Sequence, residues 1–272
     1  MTDQHYYMIR GGIEGRERLR VLSRVMRPGT LALFERAAIG AGMRCLDVGC
    51  GGGDVTFDLA SVVGLTGHVV GLDIDPVKIV LAQGDAEQGE VGNVEFRVGD
   101  LTDGLGEEAY DVVYARFVLW TLPDPEGALR QMVAALKPGG RLVVEDIDFD
   151  ASGCYPASED FHRYKEIFTQ TAAHLGAHLN YGSRVPRALL DAGLLGVQPS
   201  VVQPAGLEGE VKVMHPLSLE SVRAVVLMHQ VASGEEVDHV VDALYALARD
   251  PTTYMFCPRI VQAYGDKAVT AV

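Results

Sequence analysis

Cys45-Leu46-Asp47-Val48-Gly49-Cys50-Gly51-Gly52-Gly53-Asp54 is the stretch on which the fold turns. Its first four residues read as a buried strand, and the glycines that follow read as a turn opening a helix. Gly49, Gly51 and Gly53 recur at every second position. That spacing lets the backbone enter left-handed dihedrals and keeps any Cβ out of the space between main chain and a ligand. On its own the stretch also fits an ordinary strand-to-helix turn.

About twenty residues on, a second apolar run, His68-Val69-Val70-Gly71-Leu72, ends on Asp73, where a doubly wound nucleotide fold carries the acidic residue that accepts ribose hydroxyls. The glycine spacing then separates cofactors. A dinucleotide turn asks for Gly-x-Gly-x-x-Gly, whereas this one gives Gly49-x-Gly51-x-Gly53 with Asp54 next. A carboxylate at that helix start opposes a pyrophosphate and suits a zwitterionic adenosine derivative better. An NAD-dependent oxidoreductase is therefore the weaker enzyme reading.

Leu46 to Gly53 resembles motif I of the class I S-adenosylmethionine-dependent methyltransferases, Asp-x-Gly-x-Gly-x-Gly. Other landmarks follow in order: Asp73, then Phe96-Arg97-Val98-Gly99-Asp100-Leu101, then Tyr110 to Arg116 as a fourth strand, then Leu136 to Asp146 as a turn and fifth strand. The resemblance is specific from about residue 40 to 148 and is nearest to bacterial small-molecule enzymes related to those of quinone biosynthesis. It implies an α/β fold, a doubly wound, seven-stranded, mostly parallel sheet with a helical lid. It also implies S-adenosyl-L-methionine as cofactor and S-adenosyl-L-homocysteine as its product. The residues it assigns to cofactor binding are Asp47, Gly49, Cys50, Gly51, Asp73, Ile74, Asp100, Leu101, Ala115 and Arg116.

Strands expected at 43–48, 67–73, 93–98, 110–115 and 140–147 alternate with helical segments, which predicts a parallel sheet with its ligand beyond the carboxyl ends. Beyond residue 150 the pattern gives helices near 158–178, 184–192, 217–232 and 235–249. Apolar alternation is read at 197–202 and 210–214, and a closing strand near 252–260, antiparallel by resemblance. Three parts follow: residues 1–39 as an N-terminal helical lid segment, 40–150 as the S-adenosylmethionine-binding core, and 151–272 completing the sheet with inserted substrate-lid helices.

At 272 residues and 48% hydrophobic composition the chain can bury a full core. Its formal charge of −14 argues against nucleic acid, which is usually met by basic side chains. Six arginines between Arg10 and Arg27 form the one basic cluster, and Leu19, Leu22, Val25 and Met26 run through it at helical spacing. An amphipathic helix with a solvated arginine face accounts for both. The four cysteines show no paired spacing, and no run is long enough to span a bilayer. A reduced, cytoplasmic setting without membrane contact is expected, and no metal site. A homodimer is compatible with the sequence.

Methyl transfer to a hydroxyl needs a proton acceptor, for which a histidine near neutral pKa is suited. Of eight histidines, His174 and His178 lie four apart in the helix expected after strand five and are the catalytic candidates. His215 and His229 are rivals, and a structural or solvated face is the plainer alternative for all of them. Tyr7, Phe117, Trp120, Tyr155 and Tyr181 are the substrate-binding candidates. As a set these rings suit an aromatic or polycyclic natural-product-like acceptor methylated at oxygen, nitrogen or carbon, though each ring alone is as well explained by packing. The competing reading is a protein that binds S-adenosylmethionine without moving its methyl group.

Overall fold

The computed structural model describes residues 12–269. Its main sheet holds β1 (Arg44–Val48), β2 (His68–Asp73), β3 (Val94–Val98), β4 (Tyr110–Arg116), β5 (Leu136–Asp148), β7 (Leu195–Val202) and β10 (Arg259–Asp266), in spatial order β3-β2-β1-β4-β5-β10-β7. β1 to β5 run parallel, and β10 is antiparallel to both neighbours. β6 (Gly153–Tyr155), β8 (Ala205–Gly206) and β9 (Tyr254–Phe256) form a separate small sheet. The seven-stranded, mostly parallel architecture expected from the sequence is present. Strand order reverses beside β1, so the crevice for a ligand opens at the carboxyl ends of β1 and β4.

The strand residues sort by parity into two cores, as a sheet covered on both faces requires. Leu46, Val48, Val113, Ala115, Leu142 and Val144 enter one cluster, while Cys45, Val69, Val112, Tyr114 and Val143 enter the other. Helices follow local chemistry. α3 (Pro76–Gln88) and α4 (Pro125–Ala135) each begin with proline at the first turn, after an aspartate whose side chain accepts a first-turn amide. α5 (Glu159–His174) and α8 (Gly234–Arg249) are capped in the same way by Ser158 and Ser233. α2 (Asp54–Val63), α6 (Val185–Asp191) and α7 (Met214–Met228) complete the set with α1.

The sequence pattern predicts an amphipathic helix through the arginine run and a separate apolar helix from Gly29 to Ile39; instead α1 (Gly12–Arg36) is one continuous helix with Pro28 inside it. Its first half gives Val21 and Met26 to the larger core and its second half gives Leu33 and Phe34 to the other. One helix thus passes over the carboxyl edge of the sheet and is anchored on both sides. Glu145 on β5 fixes it: this buried carboxylate accepts from the hydroxyls of Thr30 (2.8 Å) and Tyr114 and from Gln262 Nε2 (2.7 Å).

Several boundaries differ from the sequence reading, among them β5, which starts at Leu136 rather than 140, and α7, which runs from Met214 to Met228 rather than over 217–232. Glu210–Val213 is a 3-10 turn leading into α7, its apolar alternation broken by the left-handed Gly209. The closing strand of the main sheet is Arg259–Asp266, because Pro258 separates it from the short β9. α5 ends at His174, so His178 lies beyond the helix, four residues past its last turn.

Candidate active site

The glycine turn after β1 is held by its neighbours' backbone. Gly49 and Cys50 amides donate to Leu72 O (2.7 and 3.0 Å), and Gly51 N–H donates to Asp73 Oδ2 (2.8 Å). Gly51 sits at φ +56°, and a Cβ there would meet only Leu19 of α1, 3.5 Å away across the opening. Its bareness serves the backbone angle and the space in front of the turn. Gly49, at φ +69°, has no such space: a Cβ would stand 2.6 Å from Val118 of the turn after β4.

Asp73 accepts one backbone amide on each oxygen, from Gly51 and from Asp75 (2.9 Å). A carboxylate has about four acceptor positions, so lone pairs remain for two hydroxyls. Asp47 is buried at the end of β1 and accepts from Thr56 Oγ1 at 2.7 Å. Burial pushes its carboxyl up to about 7, against the opposing pull of that hydrogen bond and of Arg116. Asp54 is raised as well, again by burial, with Arg116 and Arg20 opposing.

These residues line one end of a cleft enclosing about 1210 Å³, counted out to its open mouth. The other end is apolar and aromatic: Leu22 and Met26 of α1, Ile147 near the end of β5 and Phe149 just after it, Tyr164 and Phe168 of α5, and Met214 of α7. Phe149 stacks on Phe168 with centroids 4.8 Å apart and meets Tyr164 edge-on. His215 closes this chamber. Its Nε2 lies 3.2 Å from the Phe256 carbonyl, which can only accept, so Nε2 carries the proton and Nδ1 the lone pair. Burial lowers its pKa to about 4, so the ring is neutral.

Of the residues singled out in the sequence, Asp47, Gly49, Cys50, Gly51, Asp73, Arg116, Phe117 and Trp120 line this cleft together. Phe117 does so from a left-handed conformation (φ +58°) unusual for a side-chain-bearing residue. Ile74, Asp100, Leu101 and Ala115 are not among the lining residues; Ala115 and Leu101 are buried in the core and Ile74 is half-exposed. The histidine pair is not brought there. His174 stacks on His229 at 4.9 Å, and His178 contributes its backbone amide to Trp120 O (2.6 Å), its ring turned toward Tyr181. The shared helical face expected for the pair is absent because the helix ends between them. Tyr155 is 73% exposed on β6, and Tyr181 is buried in the core with its hydroxyl on Glu126 (3.3 Å). Tyr7 lies outside the described residues.

The cleft also contains residues that sequence reading passed over. Arg18, within the arginine run, is buried in the wall with Nη2 on Ser218 Oγ at 3.4 Å, whereas Arg24 and Arg27 pair with Glu210 and Asp58 near solvent. The spacing of Tyr164 and Phe168, one turn apart on α5, was the available signal for an aromatic wall.

A glycine turn with the acid Asp73 at the end of the next strand, beside the carboxyl groups of Asp47 and Asp54, defines a site for a nucleoside with cationic character, and its contiguous apolar chamber defines a seat for a second guest. S-adenosylmethionine fits the first: its hydroxyls suit Asp73, its sulfonium suits the aspartates, its carboxylate suits Arg116 and Lys78 in the same lining, and the bare Gly51 leaves room for it. Residues 39–190, more than half of the chain, match the family described as methyltransferase domain, and the chain belongs to that family of class I S-adenosylmethionine-dependent methyltransferases.

Among curated relatives, the ubiquinone/menaquinone biosynthesis C-methyltransferase UbiE of Ectopseudomonas mendocina is 34% identical over 144 residues, 52% of this chain and 56% of that protein. An arsenite methyltransferase of Halobacterium salinarum is 33% identical over 112 residues, 41% of this chain and 29% of the relative. The chain thus spans little more than half the length of the first and less of the second. Among solved structures, phosphoethanolamine N-methyltransferase 2 of Haemonchus contortus aligns at TM-score 0.57 with 16% identity, covering 91% of this chain and 57% of the other. The [4+2]-cyclase SpnF aligns at 0.55 with 19% identity, covering 88% and 80%. Both share the fold.

Among the described residues no helix is long and apolar enough to cross a membrane.

Proposed function

We propose that this chain transfers the methyl group of S-adenosylmethionine to a small acceptor with an aromatic or polycyclic body, held in the chamber beneath α1, α5 and α7. The observation that carries this reading is the cleft's change of chemistry along its length, from an acidic glycine turn to an aromatic enclosure with no barrier between them. The relatives it resembles include a ubiquinone/menaquinone biosynthesis C-methyltransferase and an arsenite methyltransferase, whose acceptors differ.

Bound at the glycine turn, S-adenosylmethionine supplies an electrophilic methyl on a positively charged sulfur. The backbone of Gly49, Cys50 and Gly51 forms the floor there, and Asp73 takes the ribose hydroxyls. The resemblance assigns the adenine end to Ile74, Asp100 and Leu101, at the ends of β2 and β3. When the new bond forms, the sulfur keeps the electron pair of the broken one and the acceptor loses a proton. The chain's task is alignment: holding two reactants in register is worth about 7–11 kcal/mol in well-oriented systems. α1 and the aromatic wall of α5 supply it by closing the cleft and keeping water out. His215 Nδ1, neutral and fixed by the Phe256 carbonyl, accepts a hydrogen bond from an acceptor hydroxyl or amine. The chain parts into an N-terminal lid over 1–39, a donor-binding core over 40–150 and an acceptor-shaping remainder.

The test is formation of S-adenosylhomocysteine by the purified chain across phenols, indoles, amines and quinone precursors, with methylated product identified by mass. Turnover with one class of flat acceptor, diminished in His215→Ala and unchanged in His174→Ala, is expected. Tight donor binding without turnover on any of these would contradict the reading.

A further inference from the structure

We propose that Trp120 determines acceptor specificity: its indole Nε1–H donates a hydrogen bond to an unprotonated oxygen of the acceptor, such as a ketone, an ether or an ionised phenol. This rests on the reading of the apolar chamber as the acceptor's seat.

Trp120 lines the cleft, is only 3% exposed, and its Nε1 is buried without a hydrogen-bond partner among the described residues. A buried N–H left unpaired costs free energy comparable to a lost hydrogen bond, so such a group in a folded protein calls for an explanation. The backbone around it is pinned. Trp120 N donates to Asp146 Oδ2 (3.0 Å) and Trp120 O accepts from His178 N (2.6 Å). Asp146 also accepts from Ile147 N and is fully buried. The main chain beneath the ring is thus fixed on both sides, and no described residue offers the indole N–H an acceptor.

The indole nitrogen only donates, so its partner must carry a lone pair. That partner is the acceptor and not the donor nucleoside, because of where the sheet puts them. Trp120 lies in the turn after β4 and is tied to Asp146 of β5, whereas the ribose acid Asp73 ends β2, and the order β2-β1-β4-β5 separates them by two to three strand spacings, about 10–14 Å. The same cleft is lined by Ile147 and Phe149 and by Arg18. A cation there favours an oxygen carrying partial or full negative charge over a neutral apolar edge.

The chain has one tryptophan, so its indole N–H gives a single, assignable resonance. The experiment uses the full chain saturated with S-adenosylhomocysteine and two molecules of matched shape, 1-tetralone and its carbonyl-free counterpart tetralin. Calorimetry is expected to show 1-tetralone bound tighter than tetralin by at least about fivefold, the factor of one ordinary hydrogen bond. Trp120→Phe should bring the two affinities within about twofold while leaving that for S-adenosylhomocysteine unchanged. In the wild-type protein, which needs no variant to fold, the indole N–H resonance should move downfield with 1-tetralone and not with tetralin. Failure of 1-tetralone to bind, equal affinity for both, an unmoved resonance, or a preference that survives in Trp120→Phe overturns the proposal. Its fate is separable from that of the methyltransferase reading: selectivity for the ketone without turnover on any acceptor sinks the latter alone, and turnover without selectivity sinks the former alone.

Discussion

Asp47 concentrates the site's electrostatics in one side chain. Burial holds its carboxyl at about 7, so between about pH 4 and pH 7 the folded protein keeps a proton there that the unfolded chain has released. In that window the group subtracts from stability as pH rises. A cationic nucleoside reverses the balance by favouring the carboxylate. Affinity for S-adenosylmethionine should therefore rise from about pH 5.5 to 7.5 with release of a proton, and Asp47→Asn should flatten that rise; calorimetry in buffers of different ionisation enthalpy reads both. Gly51→Ala adds a methyl in front of the turn at φ +56°, and should cost about 1–2 kcal/mol in denaturant stability together with a tenfold or greater loss of donor affinity, about 1.4 kcal/mol. Residues of this kind were legible in the sequence because backbone chemistry dictates them: the glycines by their angles, Asp73 by its place at a strand end. The histidines were not, since a pair spaced by four reads as one helical face only while the helix lasts, and α5 ends at His174. His215 came into the cleft through the packing of α7 against α5, which no local pattern encodes.

Among the elements, α1 does the most that its sequence leaves unsaid. Leu19, Leu22 and Met26 marked an apolar stripe that was legible, yet whether such a stripe covers a core or a ligand depends on what lies beneath it, and here it is the cleft. Pro28 suggested a break, but a helix anchored in two cores tolerates the lost backbone bond. The Glu145 latch makes this testable. Glu145→Gln puts an amide hydrogen against one of three donors and should lower stability by about 1–3 kcal/mol, measured by denaturant unfolding. It should also speed amide exchange across residues 29–36, with donor affinity little changed. Unaltered exchange in that segment would mean that α1 is held by its apolar contacts alone. The strands of the first half were read nearly to the residue, as continuous apolar runs closed by glycine or aspartate. The second half was less legible because short strands, 3-10 turns and prolines there answer to the small second sheet and to β10.

At the scale of the whole molecule, a chain of net charge −14 surrounds a cleft that joins a glycine turn flanked by Asp47, Asp54 and Asp73 to an apolar, aromatic chamber. Such a field attracts a cationic nucleoside and repels a dinucleotide pyrophosphate. The sheet supplies the first guest's seat and the helices crossing its carboxyl edge supply the second's, which is why the family was readable from residues 40 to 148 while the acceptor chamber emerged only from the fold. Calorimetric titration with S-adenosylhomocysteine and with NAD, in the wild-type chain and in Asp73→Ala, tests this division most directly. The account predicts one tight site for S-adenosylhomocysteine, weakened in Asp73→Ala by about a hundredfold, roughly two lost charge-assisted hydrogen bonds, and no comparable binding of NAD. Undiminished affinity in Asp73→Ala, or tighter binding of NAD, would contradict it.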